Sequence, residues 1–238
     1  MSLHTCVMTI RRRRLDGFQR HDIANLLEGS LNVGIELGVA EGVFSERMVR
    51  SGKFGCFYGI DMYADRHDTA QYKRALRLVG LRSPYRLLRM RFDEAIDLFD
   101  DESLDFVYVD GYAHGGEDGG ETLFRWYDKV KVGGLIAGDD YDPAWPLVCE
   151  AVDELARQLD CEVMVTPVTE PENPYCRYPT WAIRKPRITA VEVPADLVRR
   201  GQRELRRVAR SERGSLAKRA IKARCPPILL EWAKQFRS

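Results

Sequence analysis

The chain lacks any apolar run near the roughly 18 residues that a membrane-crossing helix requires, so a span is not expected among its 238 residues. It lacks paired cysteines as well. Cys6, Cys56, Cys149, Cys161, Cys176 and Cys225 are scattered, with no Cys-x-x-Cys. That spacing suits neither a disulfide framework nor a zinc site, and it favours a reduced, cytoplasmic protein. Gly-x-Gly-x-x-Gly is missing, which argues against a nicotinamide-dependent dehydrogenase. Histidine is scarce, at four residues. The basic block Arg11 to Arg14 has no apolar segment behind it, so a secretory signal is not expected.

What is present fits one α/β domain with an appendage. Hydrophobic residues make up 45% and charged residues 31%, the balance of an ordinary globule. The net charge of +1 conceals an asymmetry. Residues 1–198 hold 24 Lys+Arg against 33 Asp+Glu, whereas residues 199–238 hold 13 against 3. An acidic body therefore carries a basic tail. The expected division is a domain over 1–190 and a basic, helical extension over 191–238.

Hydrophobic periodicity predicts a helix over 15–29, then strands alternating with helices. Strands are expected at Val33–Leu37, Cys56–Ile60, Tyr85–Met90, Leu104–Val109, around Leu135–Ala137, Glu162–Thr166 and Thr180–Ile183. Helices are expected after Gly42, over Ala70–Val79, Asp93–Phe99, Glu121–Val130 and Ala144–Leu159. The tail reads as helical stretches broken at Gly201, Gly214 and Pro226-Pro227. This alternation implies a doubly wound, mostly parallel sheet.

In such sheets ligands lie beyond the carboxyl ends of the strands. Glu36-Leu37-Gly38-Val39-Ala40-Glu41-Gly42 closes the first of these strands and opens a helix, with glycines that let the backbone approach a ligand. Asp61 ends the second, where a carboxylate can accept from both hydroxyls of a ribose. Asp110 follows the fourth in Val109-Asp110-Gly111. Asp139 and Asp140 follow the fifth in Gly138-Asp139-Asp140-Tyr141. Three carboxylates and His114 thus converge on one sheet edge, a composition suited to a hard cation with a base beside it. Adjacent Asp139 and Asp140 reach one ion only if the strand has ended and the chain turns there.

The order of Glu36-x-Gly38-x-Ala40-x-Gly42, Asp61, Val109-Asp110-Gly111 and Lys131-Val132-Gly133-Gly134-Leu135 resembles the class I S-adenosylmethionine-dependent methyltransferases. With the Gly138-to-Tyr141 segment it is similar to the metal-dependent sugar O-methyltransferases of macrolide and aminocoumarin biosynthesis. The resemblance covers roughly residues 20–185. It implies a Rossmann-like seven-stranded sheet whose last strand is antiparallel. It implies that Glu36, Gly38 and Gly42 line the methionine and ribose part of the cofactor, that Asp61 holds the ribose, and that Arg91 and Phe92 meet the adenine. Ser45 is a further candidate for the methionine carboxylate, at a helix N-terminus that favours an anion. Ala40 stands where many members carry a third glycine. A homodimer is a further implication.

Magnesium is the implied metal, on Asp110, Asp139 and Asp140, where it would lower the pKa of an acceptor hydroxyl. His114 is the candidate base, since an imidazole titrates near neutrality. His4, His21 and His67 are read as surface residues, and Tyr112, Tyr141 and Trp145 as either an apolar wall for a sugar ring or ordinary packing. The expected reaction is methyl transfer to a hydroxyl of a sugar, glycan or polyol-like molecule. The alternatives are a metal-independent methyltransferase of an amine or small acid, and a noncatalytic cofactor-binding protein whose tail contacts membrane or nucleic acid. Base methylation is not expected, because Asn/Asp-Pro-Pro-aromatic is absent after the fourth strand and Asn173-Pro174-Tyr175 lies elsewhere. The tail, residues 199–238, suits an anionic inner membrane surface or an acidic partner.

Overall fold

The computed structural model describes residues 10–64, 67–111, 116, 118–167 and 177–224. One sheet organises them. Its strands are β1 (Arg12–Arg14), β2 (Asn32–Leu37), β3 (Phe54–Ile60), β4 (Tyr85–Leu88), β5 (Leu104–Val109), β6 (Val130–Gly138), β7 (Val163–Val165) and β8 (Trp181–Arg184). Their spatial order is β1-β7-β8-β6-β5-β2-β3-β4. All pairings are parallel except those of β8, which runs antiparallel to both β6 and β7. The sheet is thus the expected mostly parallel one, with its last strand reversed.

Two expectations at the N-terminus need correction. The sheet has eight strands rather than seven, because Arg12–Arg14 pairs in parallel with Val163–Val165 along an otherwise open edge. The continuous helix over 15–29 is instead a 3-10 helix, Arg20–Leu26. Leu15 still bonds Val165 as the strand ends, and Gly17 turns the chain at φ +80°. Ile23 and Ala24 then anchor the short helix with no exposed surface.

The helices are α1 (Val43–Arg50), α2 (Thr69–Ala75), α3 (Phe92–Ala95), α4 (Glu121–Tyr127), α5 (Pro146–Leu159) and α6 (Ala195–Arg224). A π-helical turn, Leu76–Gly80, continues α2, and α4 stops short of Val130, which opens β6. Among the described residues the tail is one helix that runs unbroken through Gly201 and Gly214, while the break expected at Pro226-Pro227 lies outside them. Strand alternation divides the core. Ile35, Leu37, Val107, Val109 and Ile136 face one layer with α4 and α5. Phe106, Tyr108, Leu135 and Ala137 face the other, with Ile23, Phe44 and Met48. On α5, Leu147, Val148, Ala151, Val152, Leu155 and Leu159 are all buried, as their spacing predicts. Among the described residues no helix is long and apolar enough to cross a membrane.

Candidate active site

Register builds the site. Leu37 pairs with Ile60 and Val109, and Val109 with Gly138. Gly38, Asp61, Asp110 and Asp139 are therefore the first residues past the carboxyl ends of four adjacent parallel strands. Gly38, at φ +97°, lies flush on the neighbouring strand end, since a Cβ there would sit 2.0 Å from the Asp110 carbonyl oxygen. Only glycine permits this approach. The turn continues through Ala40 at φ 48° and Gly42 at φ 83°. Ala40 thus occupies the left-handed region, which accounts for glycine in that place elsewhere.

Asp61 is tied into that turn. Its Oδ2 accepts from the amides of Val39 and Ala40, both at 3.0 Å, and its Oδ1 from the Tyr63 amide at 2.9 Å. His67 Nδ1 lies 2.6 Å from Oδ2. His67 is therefore not a plain surface residue, which corrects the sequence reading. Burial works to raise the Asp61 pKa, but His67 and the amides of Ala40 and Tyr63 outweigh it, and the net shift is downward. Among the described residues Oδ1 takes one donor, and a carboxylate oxygen has room for two. That position fits a ribose hydroxyl.

Glu36 behaves oppositely. It is buried, and burial pushes its pKa well above the ordinary carboxylate value despite a hydrogen bond from the Ser45 hydroxyl. Ser45 also lies 2.8 Å from the Tyr85 hydroxyl. Its hydroxyl is engaged inside the protein rather than open at the start of α1. Arg91 caps α3 and pairs with Asp93, while Phe92 is buried beside Gly111. The turn, Glu36 and Asp61 together fit S-adenosylmethionine, with a close-approach glycine and carboxylates for its hydroxyl and ammonium groups.

The acids beyond β5 and β6 differ from expectation. β6 ends at Gly138, and Asp140 takes φ 63°, so the chain does turn there; Asp139 and Asp140 are both buried. Asp110 and Asp139 are brought together, but around a side chain. Arg20, from the 3-10 helix, pairs through Nη2 with Asp110 Oδ2 and through Nη1 with Asp139 Oδ2, the latter at 3.2 Å. Its guanidinium lies over the rings of Phe44 and Tyr108, at 4.9 and 5.2 Å. Arg20 and Asp139 are buried and Asp110 is partly buried, so this is a largely buried ion triad. Burial opposes the charge on Arg20, but Asp110, Asp139 and Glu36 hold its pKa above the ordinary value. Asp110 Oδ1 also accepts from the Gly111 amide at 2.8 Å, and Asp139 Oδ1 from the Thr180 hydroxyl at 3.2 Å.

This arrangement does not fit magnesium on Asp110, Asp139 and Asp140. The expected ion place is held by a guanidinium that stays protonated and repels a second cation. No group of three or more His, Cys, Asp or Glu suited to a metal ion occurs among the described residues. His114 and Tyr112 lie outside the described residues. Tyr141 is held structurally: Arg12 donates to its hydroxyl at 2.7 Å, and that hydroxyl donates to Asp153. Trp145 packs edge-on against Tyr178. Sequence reasoning missed Arg20 and His67. Neither belongs to a motif, and Arg20 reaches Asp110 across 90 residues.

Comparison with known proteins agrees with this geometry. Residues 33–141 match the family described as a methyltransferase domain. No curated protein matches the sequence. Among solved structures, the N-methyltransferase NodS from Bradyrhizobium japonicum WM9 is similar at 17% identity and a TM-score of 0.53, over 71% of this chain and 95% of that one. Spermidine synthase from Thermotoga maritima is similar at 14% identity and a TM-score of 0.53, over 74% of this chain. The chain spans 62% of the length of that synthase. At such identities these likenesses establish the fold. Residues 33–141 thus match a methyltransferase domain, and they lie in a sheet of the Rossmann-like methyltransferase fold.

Proposed function

We propose that the protein methylates a hydroxyl of a neutral sugar, glycan or polyol-like acceptor. The observation that carries this reading is the charge at the acceptor side. Carboxylates are good acceptors for the hydroxyls of a polyol. They attract a cationic amine through uncompensated charge, and Arg20 offsets one of the two charges it pairs with while occupying an oxygen of each carboxylate. The reduced charge supports a hydroxyl acceptor over an amine. Magnesium is left out of the reaction, because Arg20 holds Asp110 and Asp139.

In this reading S-adenosylmethionine supplies an electrophilic methyl group when bound. Glu36, Gly38, Gly42 and Asp61 hold its methionine and ribose parts, and Arg91 and Phe92 border its adenine. Asp110, Asp139 and Asp140 orient the acceptor hydroxyls, and His114 takes the proton released as the acceptor oxygen is methylated. Positioning accounts for much of the expected rate enhancement. The exposed arginines Arg199, Arg203 and Arg206 recur at helical spacing on α6 and support contact with an anionic surface.

The test is release of S-adenosylhomocysteine from the full chain offered two acceptor panels, one of sugars and polyols, one of polyamines and small amines. Turnover confined to the hydroxyl panel is the expected result. Turnover confined to amines would refute the acceptor class, and failure to bind S-adenosylmethionine would refute the reading as a whole.

A further inference from the structure

Arg20 lies outside residues 33–141, the stretch that matches the methyltransferase domain, yet its guanidinium sits at the acceptor side of that domain. We propose that Arg20 is the resident cation of this site. A fixed guanidinium takes the place that a divalent ion would take between Asp110 and Asp139. It positions the carboxylates that the proposed function assigns to the acceptor, and the inference rests on that reading for its role in turnover.

Three features support a built position rather than a chance ion pair. The first is geometric. The two terminal nitrogens of one guanidinium address carboxylates from two different strands, β5 and β6, joining them as a bridging cation would. The second is restraint. Both Phe44 and Tyr108 lie against the guanidinium, and those two rings stack on each other at 4.1 Å. The planar cation is thereby confined on aromatic faces that attract it. The third is anchoring. Arg20 opens a short helix whose next turn, Ile23 and Ala24, is fully buried, and whose start is closed by the Gln19 amide donating to Asp22 at 2.8 Å. The backbone that carries the side chain is thereby fixed beside the strand ends.

Clustered buried carboxylates need a countercharge, because repulsion and desolvation otherwise force protonation. Arg20 supplies that countercharge permanently, independent of ion concentration. Removing it leaves oxygens of Asp110 and Asp139 facing a vacated cation position, a composition that suits magnesium or calcium with water completing the coordination. The wild-type site should ignore divalent ions, and the site without Arg20 should take one.

The experiment compares thermal unfolding of the full-length wild type, Arg20→Lys and Arg20→Ala, each with magnesium or calcium chloride at constant ionic strength. Arg20→Ala should gain about 5 °C or more at saturating ion. Wild type and Arg20→Lys should stay unmoved. The gain should vanish in Arg20→Ala/Asp110→Asn. A simple structural ion pair would not create this ion dependence. A folded Arg20→Ala that ignores both ions overturns the proposal, as does a saturable ion response in the wild type that Asp110→Asn removes. If Arg20→Ala is recovered unfolded, refolding on addition of either ion supports the proposal and failure to refold overturns it. Neither cofactor nor acceptor is needed for this readout. Its failure would therefore leave the methyl-transfer reading standing, and failure of that reading would show in the acceptor panels instead.

Discussion

The two halves of the strand-end rim hold their acids in different ways. Beyond β2 and β3, Asp61 is tied by the amides of Val39, Ala40 and Tyr63, with His67 as a fourth partner. Those partners lie within 22 residues of it. Beyond β5 and β6, Asp110 and Asp139 share a side chain that arrives from the far N-terminus. The half proposed for the cofactor is therefore a local construction in which backbone donors dominate, and no single substitution removes them. The half proposed for the acceptor is bridged by one side chain docked from a distant segment, so a single substitution removes that bridge. Gly38 joins the halves, its Cα lying where a side chain would strike the Asp110 carbonyl.

The largest expected effect breaks the acceptor half. Arg20→Ala should destabilise the protein by about 3–5 kcal/mol in the absence of divalent ions, the usual cost of leaving buried charges without their partner. Denaturant unfolding measures it, and a loss no larger than that of an exposed pair such as Arg157–Glu154 would show that the guanidinium is not bearing this charge.

Next comes the cofactor half. Asp61→Asn removes a charged acceptor from the ribose position and should weaken S-adenosylmethionine binding about 10-fold to 100-fold, as for a charged hydrogen bond. Titration calorimetry reads this directly, and unchanged affinity would detach Asp61 from the cofactor. Arg20→Lys should leave cofactor affinity within about twofold, since the halves meet mainly through backbone.

A subtler contrast lies in pH. The folded-state pKa of Asp61 is depressed below its ordinary 3.8. Its contribution is present above that value and is lost as pH falls through the folded pKa. Glu36 is raised above its ordinary 4.5, so the folded protein binds its proton more tightly than the unfolded chain. Stability from Glu36 is present below 4.5 and is lost as pH rises through its folded pKa. Asp61→Asn should therefore flatten the acid side of the stability profile, and Glu36→Gln should remove a loss of stability that sets in as pH rises above 4.5. Melting temperatures across pH would show identical profiles if the two acids were equivalent.

The smallest effect concerns the turn itself. Ala40→Gly should stabilise by about 1 kcal/mol or less, since it relieves a left-handed alanine while loosening the unfolded chain. A loss of stability would mean that the Ala40 methyl packs more than its strain costs.

Legibility in the sequence follows the same division. Short apolar runs ending in Asp61, Asp110 and Asp139 announced the parallel strands and their acidic ends, because period-two burial and strand-end polarity are local properties. The six inward positions of α5 were readable for the same reason. What escaped depended on contacts across the chain. Arg12–Arg14 resembles a solvated basic run, yet it adds a strand because β7 leaves an open edge. Arg20 looks like one arginine among several before an apolar stripe, and only the docked 3-10 helix gives it meaning. Of the residues read as metal ligands, Asp110 and Asp139 do meet, each paired with Arg20. Their strand-end positions could not reveal a guanidinium arriving from a distant segment.

Turnover of a hydroxyl acceptor by the wild-type protein, measured in excess EDTA and again after magnesium is restored, tests the central claim most directly. Equal rates are expected in both conditions, with the cation supplied by Arg20. Activity abolished by EDTA and recovered with magnesium would contradict it.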